Sequence, residues 1–480
     1  MKLHWISEDA RKWWTLAAVA FGLFMIMLDN TVVNVALPSI AADLNIGLSE
    51  LEWIVTGYAL TFASLMLTGG KLADLLGRRL IFIVGLAIFT LSSLVCGLAG
   101  SGELLIGARV VQGAGAALMN PATLSIIAAT FPPRQRGMAI GIWAGVSAMA
   151  LAIGPLVGGL LTEHISWSWI FFVNVPIGVI AIAASLLLIP ESKDESVEQR
   201  LDLPGLLTSG IGLFALTYGL IEANTYGWTS SRILGAFAVA VAMLVAFVLL
   251  ETRQRLPMLD LSLFRNGTFA GANLAVLLVA LAMFGVFFFV SLYMQGVLGY
   301  SAVQTGAAFL PLTILIMLTA PIAGKSSDRF GSRWLMTVGM ILIAIQLFYF
   351  SRLGVEESYW NILPAMILGG FGMSMVMTPS AAAAVRALPV DKAGVGSAVL
   401  NAFRQVGGSM GIAVIGAIMA HEIGDLRGPA VFRQKELFVD GFSTALTVAA
   451  LIAVLGAVVS FALVRAHDRE PTPDGVPEVV

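Results

Sequence analysis

Gly70-Lys71-Leu72-Ala73-Asp74-Leu75-Leu76-Gly77-Arg78-Arg79 and Gly324-Lys325-Ser326-Ser327-Asp328-Arg329-Phe330-Gly331-Ser332-Arg333 share the frame G-K-x-x-D-x-x-G-x-R, and the second copy begins 254 residues after the first. Each copy sits in a short basic loop between two long apolar runs. A charged loop repeated at matching places in two apolar halves marks an internal duplication of the kind on which many polytopic membrane proteins are built.

The composition around these loops is that of a membrane protein. Of 480 residues, 58% are hydrophobic and 12% charged, and the mean hydropathy is +0.91. A soluble domain carries about 25% charged residues. Half that charge, with many apolar runs near 20 residues long, implies an all-α integral membrane protein. The net charge of −2 says little about partners, because in such a chain the distribution of charge matters more than its sum. Cys96 is the single cysteine, so no intramolecular disulfide forms, and four scattered histidines offer no metal-ligand cluster. With no metal spacing, phosphate-cradling loop or Cys/His pair, the expectation is no enzyme activity, no cofactor, no metal and no nucleic-acid partner. The first apolar run, about 13–37, is too long for a signal-peptide core and contains Asp29 and Asn34, so it reads as a retained first helix.

Fourteen spans are expected, at about 13–37, 51–70, 79–98, 103–130, 137–161, 167–189, 203–223, 231–250, 268–296, 302–324, 334–351, 360–382, 393–420 and 442–465. With the N-terminus in the cytoplasm, 20 of the 27 Lys and Arg fall in inward segments, five in outward segments, and Arg109 and Arg404 inside spans. This bias fits the positive-inside rule with both termini cytoplasmic. The expected organisation is an N-terminal six-helix bundle (1–190), a cytoplasmic linker with two inserted transmembrane helices (191–265), and a C-terminal six-helix bundle (266–480).

At this point the chain resembles the major facilitator superfamily and, more narrowly, its fourteen-span drug:proton antiporter branch. The residues that carry the resemblance are Leu28-Asp29-Asn30-Thr31-Val32-Val33-Asn34 in the first span and the repeated loop. In the fourth span they are Arg109-Val110-Val111-Gln112-Gly113, and in the fifth Gly154-Pro155-Leu156-Val157-Gly158-Gly159. The resemblance implies two pseudo-symmetric bundles plus two additional helices, rocker-switch alternating access, and efflux driven by the proton gradient. It also implies a gating role for the loop residues Gly70, Lys71, Asp74, Gly77, Arg78 and Arg79 and for Asp328 in the second copy. The same residues also fit a solvated topogenic loop. Gly70 and Gly77 permit tight turns, the cations hold the loop inside, and Asp74 can pair locally or accept hydrogen bonds from a helix N-terminus. The second copy, with Ser326, Ser327 and Ser332 in place of Leu72, Ala73 and Arg78, is expected to be the weaker latch.

In the fifth span, Pro155 should bend the helix, and Gly154, Gly158 and Gly159 let another helix pack on the backbone. Only the resemblance makes this an antiport signature, and Ala150 stands where family members often have Gly. Other departures are Trp167-Ser168-Trp169, where related chains often carry Arg between the tryptophans, and a tenth span without an acid. The second of these argues against strongly dicationic substrates.

Asp29 is the most informative residue, an acid deep within a span. Counting at about 1.5 Å per residue puts it at similar depth to Arg109 in the same bundle. Charges in hydrocarbon pair or line a wet cavity, so the two are expected within reach, either exchanging a proton during transport or forming a static buried pair. Glu222, at the end of the seventh span, is a second candidate for proton coupling or a solvated helix end. Asn30 and Asn34 share a helix face and, with Gln112, fit a polar cavity wall or interhelical glue. Asn401 and Arg404 in the thirteenth span are cavity candidates. Arg404 is expected to bind carbonyls, to meet an acid of the other half, or to face water and substrate. Phe288 and Tyr293, in the aromatic run of the ninth span, fit either an apolar substrate pocket or ordinary packing. The functional expectation is a bacterial inner-membrane protein, working as a monomer on protons and an amphipathic small molecule. A dedicated exporter of one metabolite or antibiotic on the same scaffold and a non-transporting membrane sensor are the alternatives.

Overall fold

A computed structural model of the chain describes residues 8–193, 202–254, 257, 259–388, 393–423 and 434–465. Among these, fourteen helices are long and apolar enough to cross a membrane. The first half holds α1 (Glu8–Leu44), α2 (Leu48–Leu76), α3 (Arg78–Gly97), α4 (Gly102–Thr130) and α5 (Pro133–His164), then a sixth span divided into α6 (Trp169–Phe172) and α7 (Asn174–Leu188). Next come α8 (Leu203–Tyr226) and α9 (Ser231–Arg253). The second half starts with α10 (Gly267–Leu292), which ends in a π-turn at Tyr293–Val297, and a tenth span divided into α11 (Ala302–Ala308) and α12 (Leu310–Phe330). It closes with α13 (Ser332–Phe350), α14 (Tyr359–Arg386), α15 (Ala393–Ile423) and α16 (Lys435–Leu463).

Helix starts follow from the polar residue that precedes each apolar run, because the first amides of a helix have no partner inside it. Ser101 accepts from the Leu104 amide, Asp202 from Gly205, Ser230 from Ile233, and Asn266 from Thr268 and Phe269. Several boundaries differ from expectation, and α2 and α12 continue six residues past Gly70 and Gly324, so most of each repeated motif is helical rather than loop and only Gly77 and Gly331 break the helix. The first helix continues seven residues past Leu37, through Pro38, to Leu44. The tenth span restarts at Leu310 because Pro311 is tolerated only in the first turn of a helix.

In the first half α2 and α3 pack on α4, α5 and α7 on α1, and α7 also on α3; in the second α10 packs on α15, α13 on α14 and α16, and α12 on α14. Hairpin α8–α9 rests through α8 against α2 and α15, one helix from each half. Helix α9 packs chiefly on α8 and leaves Val241 63% exposed. Exposed apolar side chains on helices whose backbone bonds are internally satisfied are what a lipid surface requires.

The molecule has two unlike ends. At the basic end, the α2–α3 and α12–α13 turns place Gly77 (φ +126°) and Gly331 (φ +82°) at equivalent positions of the repeat. Both lie in the region of φ that favours glycine. At the far end, where α1 stops and α2 begins, the halves are sewn together. Gln295 donates to the Val35 carbonyl (2.8 Å), and the Val303 amide donates to the Glu163 carboxylate (2.8 Å). Thr313 donates to the Ala152 carbonyl (3.2 Å).

Candidate functional site

Asp29 and Arg109 meet in the first half. Arg109 Nη1 lies 2.5 Å from Asp29 Oδ2, and the two side chains are 1% and 0% exposed. Arg109 Nε donates to the Ile54 carbonyl (3.0 Å) and Nη1 also to Gln112 Oε1 (2.7 Å). Gln112 Nε2 closes the ring by donating to Asp29 Oδ1 (3.1 Å). Behind it, Ser93 Oγ accepts from Gln112 Nε2 (3.3 Å) and Asn174 Nδ2 (3.1 Å) and donates to the Phe171 carbonyl (2.9 Å). The guanidinium sits 4.2 Å from the Tyr58 ring centroid and 5.7 Å from that of Phe171. Two opposite charges out of water are tolerated when such hydrogen bonds satisfy their remaining atoms. One arginine thus ties α1, α2 and α4 together, so a change of charge at Asp29 acts on three helices at once. The sequence carried Asp29, Arg109 and Gln112. Ser93, Asn174 and Tyr58 escaped it, because a polar residue in an apolar run does not say which neighbouring helix it faces.

The Gly-Pro segment of α5 lies where three helices cross. A Cβ built at Gly154 would overlap the Thr31 hydroxyl, and one at Gly158 would lie 2.7 Å from the Val32 carbonyl oxygen, so both glycines seat α5 on α1. Gly159 faces the other half instead, where a Cβ would lie 2.9 Å from the Ala302 carbonyl carbon. Gly306 of α11 reciprocates against Pro155, with 2.8 Å to its carbonyl carbon. Gly306 gave no signal in the sequence; its role comes from the helix it meets.

At the basic end, Asp74 pairs locally with Arg78, one turn on (2.9 Å, partly exposed). The helix N-terminus is capped by a different acid. Glu191 accepts from the Arg79 and Leu80 amides (3.0 and 3.1 Å) and lies over Gly77, tying the α2–α3 turn to the segment after α7. Arg79 donates to the Ile189 carbonyl (3.2 Å). Gly70 packs on Pro121, and Lys71 is half-buried beside it. The second copy is clamped by Arg386 of α14, which donates to Ser327 and Ser332 (3.0 and 3.1 Å). The side chain of Asp328 lies outside the described residues.

The expected cavity residues divide. Asn30 is half-buried and donates to the Ile26 carbonyl, and Asn34 donates to the Asn30 carbonyl. Asn401 is half-buried and donates to the Ser397 carbonyl. Arg404 is half-buried, and among the described residues it has neither a carbonyl nor an acid as partner. Glu222 accepts from Trp53 Nε1 (3.1 Å), and nearby Asn224 binds the Ala417 carbonyl (2.6 Å). Three of the expected cavity residues are packed inside their bundles. Gln112, Phe288 and Tyr293 have no exposed surface. Gln112 belongs to the ion-pair ring. Phe288 packs edge-on against Phe289, and Tyr293 stacks on Phe442 and donates to the Gly354 carbonyl (2.6 Å). Aromatic runs fill the second bundle's core because α10 is surrounded by α14, α15 and α16. A separate cavity of about 370 Å³, lined by Leu220, Trp228, Ala417 and His421 among others, opens between α8, α15 and α16 at the far end, on helices that do not carry the ion pair.

Comparison with known proteins agrees with this architecture. A family model for the Major Facilitator Superfamily matches residues 19–412. The chain is 38% identical over 416 residues to the Tetracenomycin C resistance and export protein of Streptomyces glaucescens, covering 87% of this chain and 77% of that protein. It is 36% identical over 409 residues to the Multidrug resistance protein Stp of Mycobacterium tuberculosis (strain CDC 1551 / Oshkosh), covering 85% and 75%. In fold it matches the crystal structure of a bacterial homologue of the human lysosomal transporter Spinster in an inward-facing, unoccupied conformation. That match has a TM-score of 0.66 at 19% identity and covers 95% of this chain and 97% of that one.

Proposed function

The chain belongs to the Major Facilitator Superfamily, and we propose that this member exports amphipathic drug-like molecules in exchange for protons by alternating access. Export of such compounds is supported by relatives named for drug and antibiotic resistance and export. The observation that carries proton coupling is the desolvated Asp29–Arg109 pair inside the ring completed by Gln112 and the Ile54 carbonyl.

A proton arriving on an Asp29 oxygen removes the charge that holds Arg109. Taking away one partner of a buried pair costs about 3–5 kcal/mol, because the other charge stays buried and unmatched. Arg109 then keeps only neutral acceptors and the Tyr58 ring, and a rearrangement of α1 against α2 and α4 that admits water relieves that cost. Releasing the proton on the other side restores the pair. Opposed transport follows if substrate favours the ionised form and protons the neutral one.

In this reading the basic end is cytoplasmic and both termini lie there, as the distribution of Lys and Arg supports. The protein works as a monomer in a bacterial cytoplasmic membrane. The two bundles, 1–190 and 266–480, rock about the seam, with 191–265 contributing the linker and the α8–α9 hairpin. The sewn far end supports a state open toward the cytoplasm, with Arg404 and Asn401 facing the substrate path and Asp74 and Asp328, in the last turns of α2 and α12, gating its mouth. Glu222 accepts protons near the far surface. A dedicated exporter of one antibiotic is the second reading, favoured by the relative named for Tetracenomycin C.

The test is ethidium efflux in a host lacking its own pumps, with and without a protonophore, for the natural chain and Asp29→Asn. The expected result is efflux abolished by the protonophore and by the substitution. Asp29→Asn protein that still exports, and still needs the proton gradient, would remove Asp29 as the carrier.

A further inference from the structure

Glu52 is a buried acid with no part in the exchange described above. It is the fifth residue of α2, about 6 Å along the helix from Leu48, and it is 2% exposed. Its carboxyl lies in the seam between the halves, against Gly416 of α15. A Cβ at Gly416 would come within 2.6 Å of Glu52 Oε2 and closer still to Oε1. Among the described residues the carboxyl has no hydrogen-bond or ion-pair partner; the Thr56 hydroxyl on the next turn donates to the Glu52 backbone carbonyl (2.7 Å) instead.

Among the described residues no cation is placed to balance it: Arg109 of α4, which reaches the Ile54 carbonyl, is paired with Asp29. The charged group nearest in kind is a second acid, Glu222 of α8, which Trp53 holds. Helix α8 otherwise brings Tyr218 and Tyr226 to this side, and Arg232 of α9 is stacked on those two rings. On α15 no side chain between Gly411 and Ala420 titrates, and His421 and Glu422 follow only after a further turn. On α2 itself, Glu50 is engaged in the cap at Gly47. The carboxyl thus lies in the seam between the halves, facing a second acid, with no donor among the described residues, and a charge so placed is costly.

We propose that Glu52 is a proton-binding site that locks the far gate: the α2–α15 seam closes only when Glu52 carries a proton, and opening lets it ionise. Closing takes one proton from the far-side water to form the Glu52 O–H bond; opening breaks that bond and returns the proton to the same water. This proton does not cross the membrane, so it is distinct from the one assigned to Asp29. Acid water on the far side favours the closed gate. The proposal rests on the alternating-access reading but not on Asp29 or on the nature of the substrate.

The experiment measures the gate directly in the full chain in lipid nanodiscs. Spin labels are placed at Gly100→Cys and Glu356→Cys, exposed far-end positions in opposite halves. Single-label controls account for the buried Cys96. Between about pH 5 and about pH 9, the natural chain should pass from a short to a long separation. One proton released on opening changes the open-to-closed ratio by up to about tenfold per pH unit. Glu52→Gln should keep the short separation at every pH, and Glu52→Asp should retain the response. A natural chain with no pH response, or a response that survives Glu52→Gln, overturns the proposal. If Glu52→Gln fails to fold, Glu52→Met, of similar length and without a titrating group, is measured instead and should likewise show no pH response. Absence of efflux for every compound tried bears on the export reading and leaves these distances unaffected.

Discussion

Replacing Gly159 by alanine puts one methyl group into the crossing of α5 and α11. The built Cβ lies 2.9 Å from both the Ala302 carbonyl carbon and the Val303 Cα. Carbon atoms rest about 3.5–4.0 Å apart, so the helices must separate by about 0.6–1.1 Å. The obstacle is backbone, which cannot rotate aside as a side chain does. Overpacking of this kind costs about 1–3 kcal/mol. Alanine also favours the helix over glycine by up to about 1 kcal/mol, but α5 is helical in both conformations, so that gain cancels from their ratio. The clash exists only while the far seam is closed. The open-to-closed ratio should therefore rise about 5- to 150-fold, read as a longer distance between far-end spin labels and as slower efflux, because the carrier resets less often. Gly145→Ala is the matched control: it sits on the same helix with no atom within 4 Å of its built Cβ. If Gly159→Ala and Gly145→Ala give the same label distances and efflux rates, α5 and α11 do not form the seam that closes.

Other outcomes follow from the same contacts. Gly77→Ala forces a side chain into φ +126° and against the Glu191 carboxylate; thermal unfolding should reveal a loss of more than about 1 kcal/mol. Adding Glu191→Ala should recover only the steric part. Arg109→Lys keeps the charge but loses the fork that reaches Asp29, Gln112 and the Ile54 carbonyl together, so drug efflux should collapse while the protein still elutes as a folded monodisperse species. Asn224→Ala removes the tie from α8 to the Ala417 carbonyl and should lower stability by about 0.5–1.5 kcal/mol, measured by unfolding in detergent, with little change in efflux.

Much of the fold was legible because the membrane imposes a single rule on the sequence. A backbone without water must close its own hydrogen bonds, so every apolar run near 20 residues becomes a helix, and fourteen were found where fourteen were expected. The repeat in G-K-x-x-D-x-x-G-x-R was equally plain, since Gly77 and Gly331 meet the same demand for a positive φ. The core of the site was partly legible: an acid and an arginine inside spans have few ways to be tolerated other than by meeting. Phe288 and Tyr293 stayed between two readings because an aromatic stripe looks the same whether it lines a cavity or fills a core. Glu52 was overlooked because it stands at the head of the second apolar run, where an acid usually reaches water.

The order of the helices, the loops between them and the pairing of Asp29 with Arg109 are properties of the chain alone, set by hydropathy, charge and the cost of an isolated ion in lipid. Which half a side chain faces is not. Gly159 turns to Ala302 while Gly158, its neighbour, turns to Val32, and Glu52 meets Gly416 across 364 residues. Neighbouring positions on a helix point about 100° apart, and only the packing of one bundle on the other decides which direction becomes the seam.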